Sequence, residues 1–229
     1  MGGEKNVLEI RGIKKSYRKN AVLAGVDAVL PDGECVGLVG ANGVGKSTLM
    51  KILVGGLKAD SGEILFNGSP MTPDELAEKV GYVPQENPLF EDLTVKDNLE
   101  LWYQGDRERI SRELEQGILE KFGIQNFYKK RVSRLSGGMK KRLSICCALA
   151  SKPEILILDE PGAALDLTAK QQILQVIRDF TNGGKSVMIT SHETPELALC
   201  DRLYGIKNGI AAQLEQEIDS LHLQQWMEN

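Results

Sequence analysis

One short stretch limits this chain more than any other: Gly40-Ala-Asn-Gly-Val-Gly45-Lys46-Ser47-Thr48. It fits the spacing GxxxxGK followed by Ser or Thr. It stands between an apolar run, Glu34 to Val39, and a helical pattern, Ser47 to Val54, that stops at Gly55-Gly56. Glycines let successive backbone N–H groups turn inward around an anion, and the loop delivers that anion to a positive helix N-terminus. Lys46 adds a point charge for outer phosphates, and the Ser47 hydroxyl suits Mg²⁺, a hard cation that prefers oxygen. Gly40, Asn42, Gly43, Gly45, Lys46, Ser47 and Thr48 are therefore the candidate phosphate contacts.

A strand feeding a phosphate loop and then a helix implies an α/β sheet, and the rest of the chain agrees. Ile155 to Leu158 and Ser186 to Thr190 read as fully buried strands. Between them a helical pattern places Ile173, Leu174, Ile177 and Phe180 on one face and stops at Gly183-Gly184. Val7 to Ile10, Ala21 to Leu30 and Gly62 to Phe66 are strand-like without intervening helical patterns, which predicts a small antiparallel sheet. About Thr94 to Phe122, including the run Arg107 to Glu120, reads as a helical insertion with solvated faces. Leu203 to Ile206 and Ile210 to Leu214 flank Asn208-Gly209, a hairpin signal, and Leu214, Ile218 and Leu221 stand at the spacing of a terminal helix.

Composition closes off other classes. With 229 residues, 28 basic and 32 acidic side chains and a net charge of -4, no overall positive field is available to hold a nucleic-acid backbone. No apolar stretch reaches the roughly 18 to 20 residues needed to cross a bilayer, so a membrane role requires a partner. Cys35, Cys146, Cys147 and Cys200 lie among apolar neighbours without a CxxC pair or a leading apolar segment. They read as reduced core thiols, against a redox or metal site, and the expected compartment is the cytoplasm.

Ile155-Leu-Ile-Leu158-Asp159-Glu160 supplies the chemistry the phosphate loop lacks. A buried strand fixes two carboxylates at its carboxyl end, where such sheets bind ligands. Asp159 is placed to hold the metal, and Glu160 to take a proton from a water attacking a terminal phosphate. By itself a strand ending in Asp-Glu is a weak signal, since many strands lead into a polar loop. Beside the phosphate loop it gains force.

These two motifs are shared by kinases, GTPases and many ATPases. Leu135-Ser136-Gly137-Gly138-Met139 resembles the LSGGQ signature of ATP-binding-cassette (ABC) ATPases, with Met139 in place of the usual Gln. Tyr17 stands where that family stacks an aromatic on adenine. Gln85, in Val83-Pro-Gln, matches the Q-loop; Ala164-Leu165-Asp166 matches the D-loop; His192 matches the H-loop. The resemblance spans essentially the whole chain. It implies a P-loop NTPase core with a mostly parallel sheet (about 36–60, 80–86 and 150–229), an antiparallel β subdomain (about 1–35 and 60–80) and a helical insertion (about 87–149). It further implies that Glu160, His192 and Gln85 are catalytic, that Ser47, Gln85 and Asp159 hold Mg²⁺, and that ATP contacts Tyr17, the phosphate loop, Ser136, Gly137, Gly138 and Asp166.

Ser136 is itself a helix N-cap residue followed by two glycines, a second anion-binding helix start. Lys140, Lys141 and Arg142 follow in the first turn, where the macrodipole disfavours cations. They are either three solvated charges or part of a polyphosphate site. The resemblance implies that the signature of one subunit covers ATP held by another, leaving a homodimer or a pairing with a different cassette chain open. It also implies a membrane-spanning permease as partner, at the inner face of the cell membrane, with the export branch favoured by Gly138 to Leu143 and the short carboxyl end. The rival readings are a soluble scaffold ATPase of the iron–sulfur assembly type and a small-molecule kinase. For His192 and Tyr17 the bland alternatives are a satisfied structural histidine and an aromatic covering the small sheet.

Overall fold

The computed structural model describes residues 6–163 and 165–214. Two sheets organise them. The first is antiparallel, with β1 (Asn6–Tyr17), β2 (Asn20–Pro31), β4 (Ser61–Phe66) and the short β5 (Ser69–Pro70) in the order β2-β1-β4-β5. The second contains β3 (Cys35–Val39), β6 (Val80–Val83), β7 (Ile155–Asp159), β8 (Ser186–Thr190), β9 (Arg202–Lys207) and β10 (Ile210–Leu214) in the order β10-β9-β3-β8-β7-β6. All its pairings are parallel except β9 with β10. There Asn208 and Gly209, with φ of 52° and 74°, form the two-residue hairpin their sequence predicts.

β3, β7 and β8 are buried at every position, so both of their faces are covered. Alternation along β7 divides it between two cores. Ile155 and Ile157 join a cluster with the antiparallel sheet and with Leu49, Met50, Ile52 and Leu53 of α1 (Lys46–Leu53). Leu156 and Leu158 join the opposite cluster with α3 (Val95–Trp102), α6 (Gly137–Leu149) and α7 (Leu167–Asn182). On α7 the fully buried face is Ala169, Ile173, Val176 and Ile177, while Leu174 and Phe180 are half-buried at its margin.

Two segments hold more detail than their patterns suggest. After β5 comes α2 (Pro73–Lys79), which starts there because Thr72 and Glu75 form a reciprocal capping box with Pro73 at the first helical position. The run Arg107 to Glu120 is helical, as α4 (Arg107–Gln116) and α5 (Ile118–Lys121), separated at Gly117, where an added Cβ would lie 2.8 Å from Glu113 Cα. Among the described residues the last α-helix, α8 (Thr194–Leu197), is one turn. The terminal helix expected from Leu214, Ile218 and Leu221 lies outside the described residues, as does Ala164.

Candidate functional site

Parallel strand order brings the separated motifs together. Along the carboxyl edge of the central sheet the neighbours are β3, β8, β7 and β6. The loops leaving them carry Gly40–Thr48, His192, Asp159-Glu160 and Gln85 respectively. Ligands in open α/β sheets bind at this edge. A cleft of 340 Å³ is lined there by Asn42, Gly43, Gly45, Lys46, Ser47, Thr48, Gln85, Asp159 and Glu160.

The phosphate loop owes its shape to backbone conformations few side chains adopt. Gly45 has φ of 116°, and a Cβ there would meet Leu23 at 2.8 Å, so the loop presses directly on β2. Gly45 also caps α1 without any side-chain hydrogen bond, and no acidic residue occupies the first turn. The N–H groups of that turn thus lack a side-chain acceptor and suit an anion. Lys46 Nζ donates to Gly40 O (2.7 Å) and Ala41 O (3.1 Å), leaving its third N–H for a ligand. Burial lowers the Lys46 pKa, and the neighbouring Glu160 and Asp159 work against that shift.

The carboxylates are held from several sides. Thr190, paired with Asp159 in the β7–β8 register, donates its hydroxyl to Asp159 Oδ1 (2.6 Å) and accepts the Glu160 N–H (3.0 Å). Tyr82 OH approaches Asp159 Oδ2 at 3.5 Å, its pKa raised first by burial and then by that carboxylate. Glu160 has φ of 47°, a left-handed conformation rare for a residue with a side chain and frequent at functional sites. Its carboxylate accepts from Gln85 Nε2 (2.9 Å) and lies 3.7 Å from His192 Nε2. Glu160 is thus flanked by an amide and an imidazole and shares the cleft with the phosphate loop, where its carboxylate could accept a hydrogen bond from a water.

The remaining candidates stand elsewhere. Tyr17 ends β1, is 48% exposed and does not line the cleft. Ser136 accepts from Met139 N–H (3.3 Å) as N-cap of α6, and both Ser136 and Gly137 are exposed. Gly138 is packed within reach of Asp166 and Ala169 at the start of α7. Asp166 caps α7 by accepting from Ala169 N–H (2.8 Å). Within one chain the phosphate loop and the Ser136 helix start thus form two faces, not one pocket.

None of the three cations of α6 is a freely solvated charge, because each has a protein partner. Lys140 pairs with Glu91; Lys141 is buried against the carbonyls of Pro84 and Gln85; Arg142 reaches Phe122 O and Gln172 Oε1. The macrodipole penalty is set against tertiary contacts. Thr190 and Tyr82 are site neighbours that sequence reasoning missed, whereas Lys141 belongs to the cation run already noted. Thr190 alone had a visible signal, since its strand ends level with Asp159 once the two are paired.

Comparison with known proteins decides the family. The family model described as "ABC transporter" matches residues 23–163. The chain belongs to the ABC transporter family. It is 37% identical to the lantibiotic transport ATP-binding protein SrtF of Streptococcus pyogenes, over 93% of this chain and 92% of the relative. It is likewise 37% identical to the Nod factor export ATP-binding protein I of Rhizobium sp. (strain N33), over 90% and 69%. A dimeric ATP-binding cassette in a post-hydrolysis state, bound to ADP and Pi, superposes with a TM-score of 0.82 at 27% identity, over 93% of this chain and 100% of that one. This ABC cassette is accordingly an ATP-binding subunit and an ATPase, with an antiparallel sheet, a mostly parallel sheet and helical segments.

Proposed function

We propose that two copies of this ABC ATPase close face to face around ATP, that hydrolysis reopens them, and that the movement drives export through a separate membrane permease. The observation that carries the reading is the separation of the two helix starts. Lys46 and the phosphate loop line the cleft, whereas Ser136 and Gly137 face outward. Gly137 has no left-handed φ, and an added Cβ there meets nothing within 4 Å, so neither conformation nor packing inside one chain requires glycine. Close approach of a second molecule's nucleotide supplies the reason.

In this reading Glu160 accepts a proton from the attacking water, and Gln85 and His192 orient that water and the γ-phosphate oxygens. Lys46 and the α1 N-terminus carry the negative charge of the outer phosphates. The oxygen donors of Ser47, Asp159 and Gln85 fit Mg²⁺, which usually takes one or two protein ligands plus phosphates and waters. Mg²⁺ would supply charge neutralisation for the phosphates. Tyr17 would stack on the base, and Asp166, beside Gly138, would border the second nucleotide. No helix of the described residues is long and apolar enough to cross a membrane, which suits a subunit at the inner face of the cell membrane beside a permease. Relatives named for Nod factor export and lantibiotic transport favour the transporter over the scaffold ATPase.

Glu160→Gln keeps the shape of the side chain and removes the base. It should leave ATP binding intact and lower phosphate release by about 10² to 10⁴. Phosphate release at the parental rate would remove Glu160 from that role.

A further inference from the structure

Lys141 is a cation in an unusual position. It is 4% exposed, lies near the N-terminal end of α6 where the macrodipole opposes it, and has no ion-pair partner among the described residues. Its ammonium instead donates to two main-chain carbonyls, Pro84 O (3.0 Å) and Gln85 O (3.1 Å). Burial lowers its pKa, and the fields of Asp159, Glu160 and Glu196 support its charge from a distance.

Those two carbonyls belong to the loop that leaves β6 for the cleft, and the Gln85 side chain holds Glu160 Oε2 at 2.9 Å. Little more than one turn before Lys141, at the same end of the helix, Ser136 forms the exposed N-cap. A continuous path thus runs from Glu160 through the Gln85 amide, the Gln85 backbone, Lys141 and one rigid helical turn to Ser136. Lys140 adds a second tie from α6 to the same loop through Glu91. We propose that Lys141 is a positioning residue that clamps the Gln85 loop to the signature helix, so that triphosphate in the cleft sets where Ser136 stands against the second subunit. This rests on the two-subunit site proposed above. When the γ-phosphate draws the Gln85 amide away from Glu160, the loop carbonyls carry Lys141, and with it α6.

The test uses the full chain carrying Glu160→Gln, with Mg·ATP as probe and dimer formation followed by analytical ultracentrifugation. Adding Lys141→Met should raise the ATP concentration for half-maximal dimerisation by about tenfold or more, within the usual range of coupling between sites, while the dissociation constant for ADP stays within about threefold. Lys141→Arg, which keeps charge and donors, should restore dimerisation to within about threefold of the parent. Gln85→Ala should cause a comparable loss, and combining it with Lys141→Met should add little, because both act through one loop. Full additivity, unchanged dimerisation in Lys141→Met, or ADP binding lost in step would each overturn the clamp. If Lys141→Met does not fold, Lys141→Gln is read against the same limits. Absence of any ATP-dependent dimer in the Glu160→Gln chain would refute the two-subunit site itself, a result distinct from an unresponsive Lys141.

Discussion

Thr190 shows how much a single hydroxyl can organise. It donates to Asp159 and accepts the Glu160 N–H, so it fixes both the orientation of a metal-ligand candidate and the left-handed backbone of the candidate base. Thr190→Val keeps the volume and removes both bonds. The unfolding free energy should fall by about 1–3 kcal/mol in urea titration, the cost of leaving the buried Asp159 Oδ1 without its donor, while the Glu160 N–H keeps the Thr190 carbonyl as acceptor. Phosphate release should fall by more than about tenfold, since Glu160 loses part of what aims it. A second residue gives a pH signature. Burial raises the Glu196 carboxyl above its ordinary 4.5, with hydrogen bonds from Ser191 and Gly162 opposing the shift. A raised folded pKa means that folding takes up a proton, so the stability it confers is complete below 4.5 and disappears as pH climbs through the raised value. Between about pH 4 and pH 7 the parent should therefore lose stability relative to Glu196→Gln, measured by urea unfolding at each pH.

At the scale of elements, agreement between sequence and structure follows the range of the forces involved. β8 and β10 begin and end where their apolar patterns do, and Asn208-Gly209 forms its hairpin, because period and turn chemistry are local. The α2 helix was missed although Thr72, Pro73 and Glu75 spell a capping box, since seven residues with one buried side chain carry almost no periodicity. α6 illustrates the opposite case. Its three early cations contradict helix electrostatics, and the explanation, contacts to Glu91, to the Gln85 loop and to Phe122, comes from segments far away in the chain. All four cysteines are buried, and burial raises the pKa of Cys146 and Cys147, consistent with inert packing thiols.

At the scale of the whole molecule the proposed function divides the ATP site between two subunits. Specific ATPase activity should then rise with chain concentration and level off as dimers form. The check is phosphate release per chain over a dilution series, with sedimentation reading a species of twice 25.2 kDa in the Glu160→Gln chain with Mg·ATP. A rate per chain independent of concentration, with the protein monomeric throughout, would place the complete site in one molecule.

Sequence alone determined the chemistry available. Gly40 to Thr48, Asp159-Glu160 and Ser136-Gly137-Gly138 each show their candidate chemistry in residue type and short spacing, because turn conformations, helix caps and charges are local properties. Only the tertiary structure decided which of them meet. The order β3-β8-β7-β6 puts Lys46, His192, Glu160 and Gln85 along one edge, while α6 directs Ser136 outward and Lys141 inward to the Gln85 loop. Strand order and helix docking depend on burying apolar area between distant segments, and one-dimensional spacing holds no record of that choice.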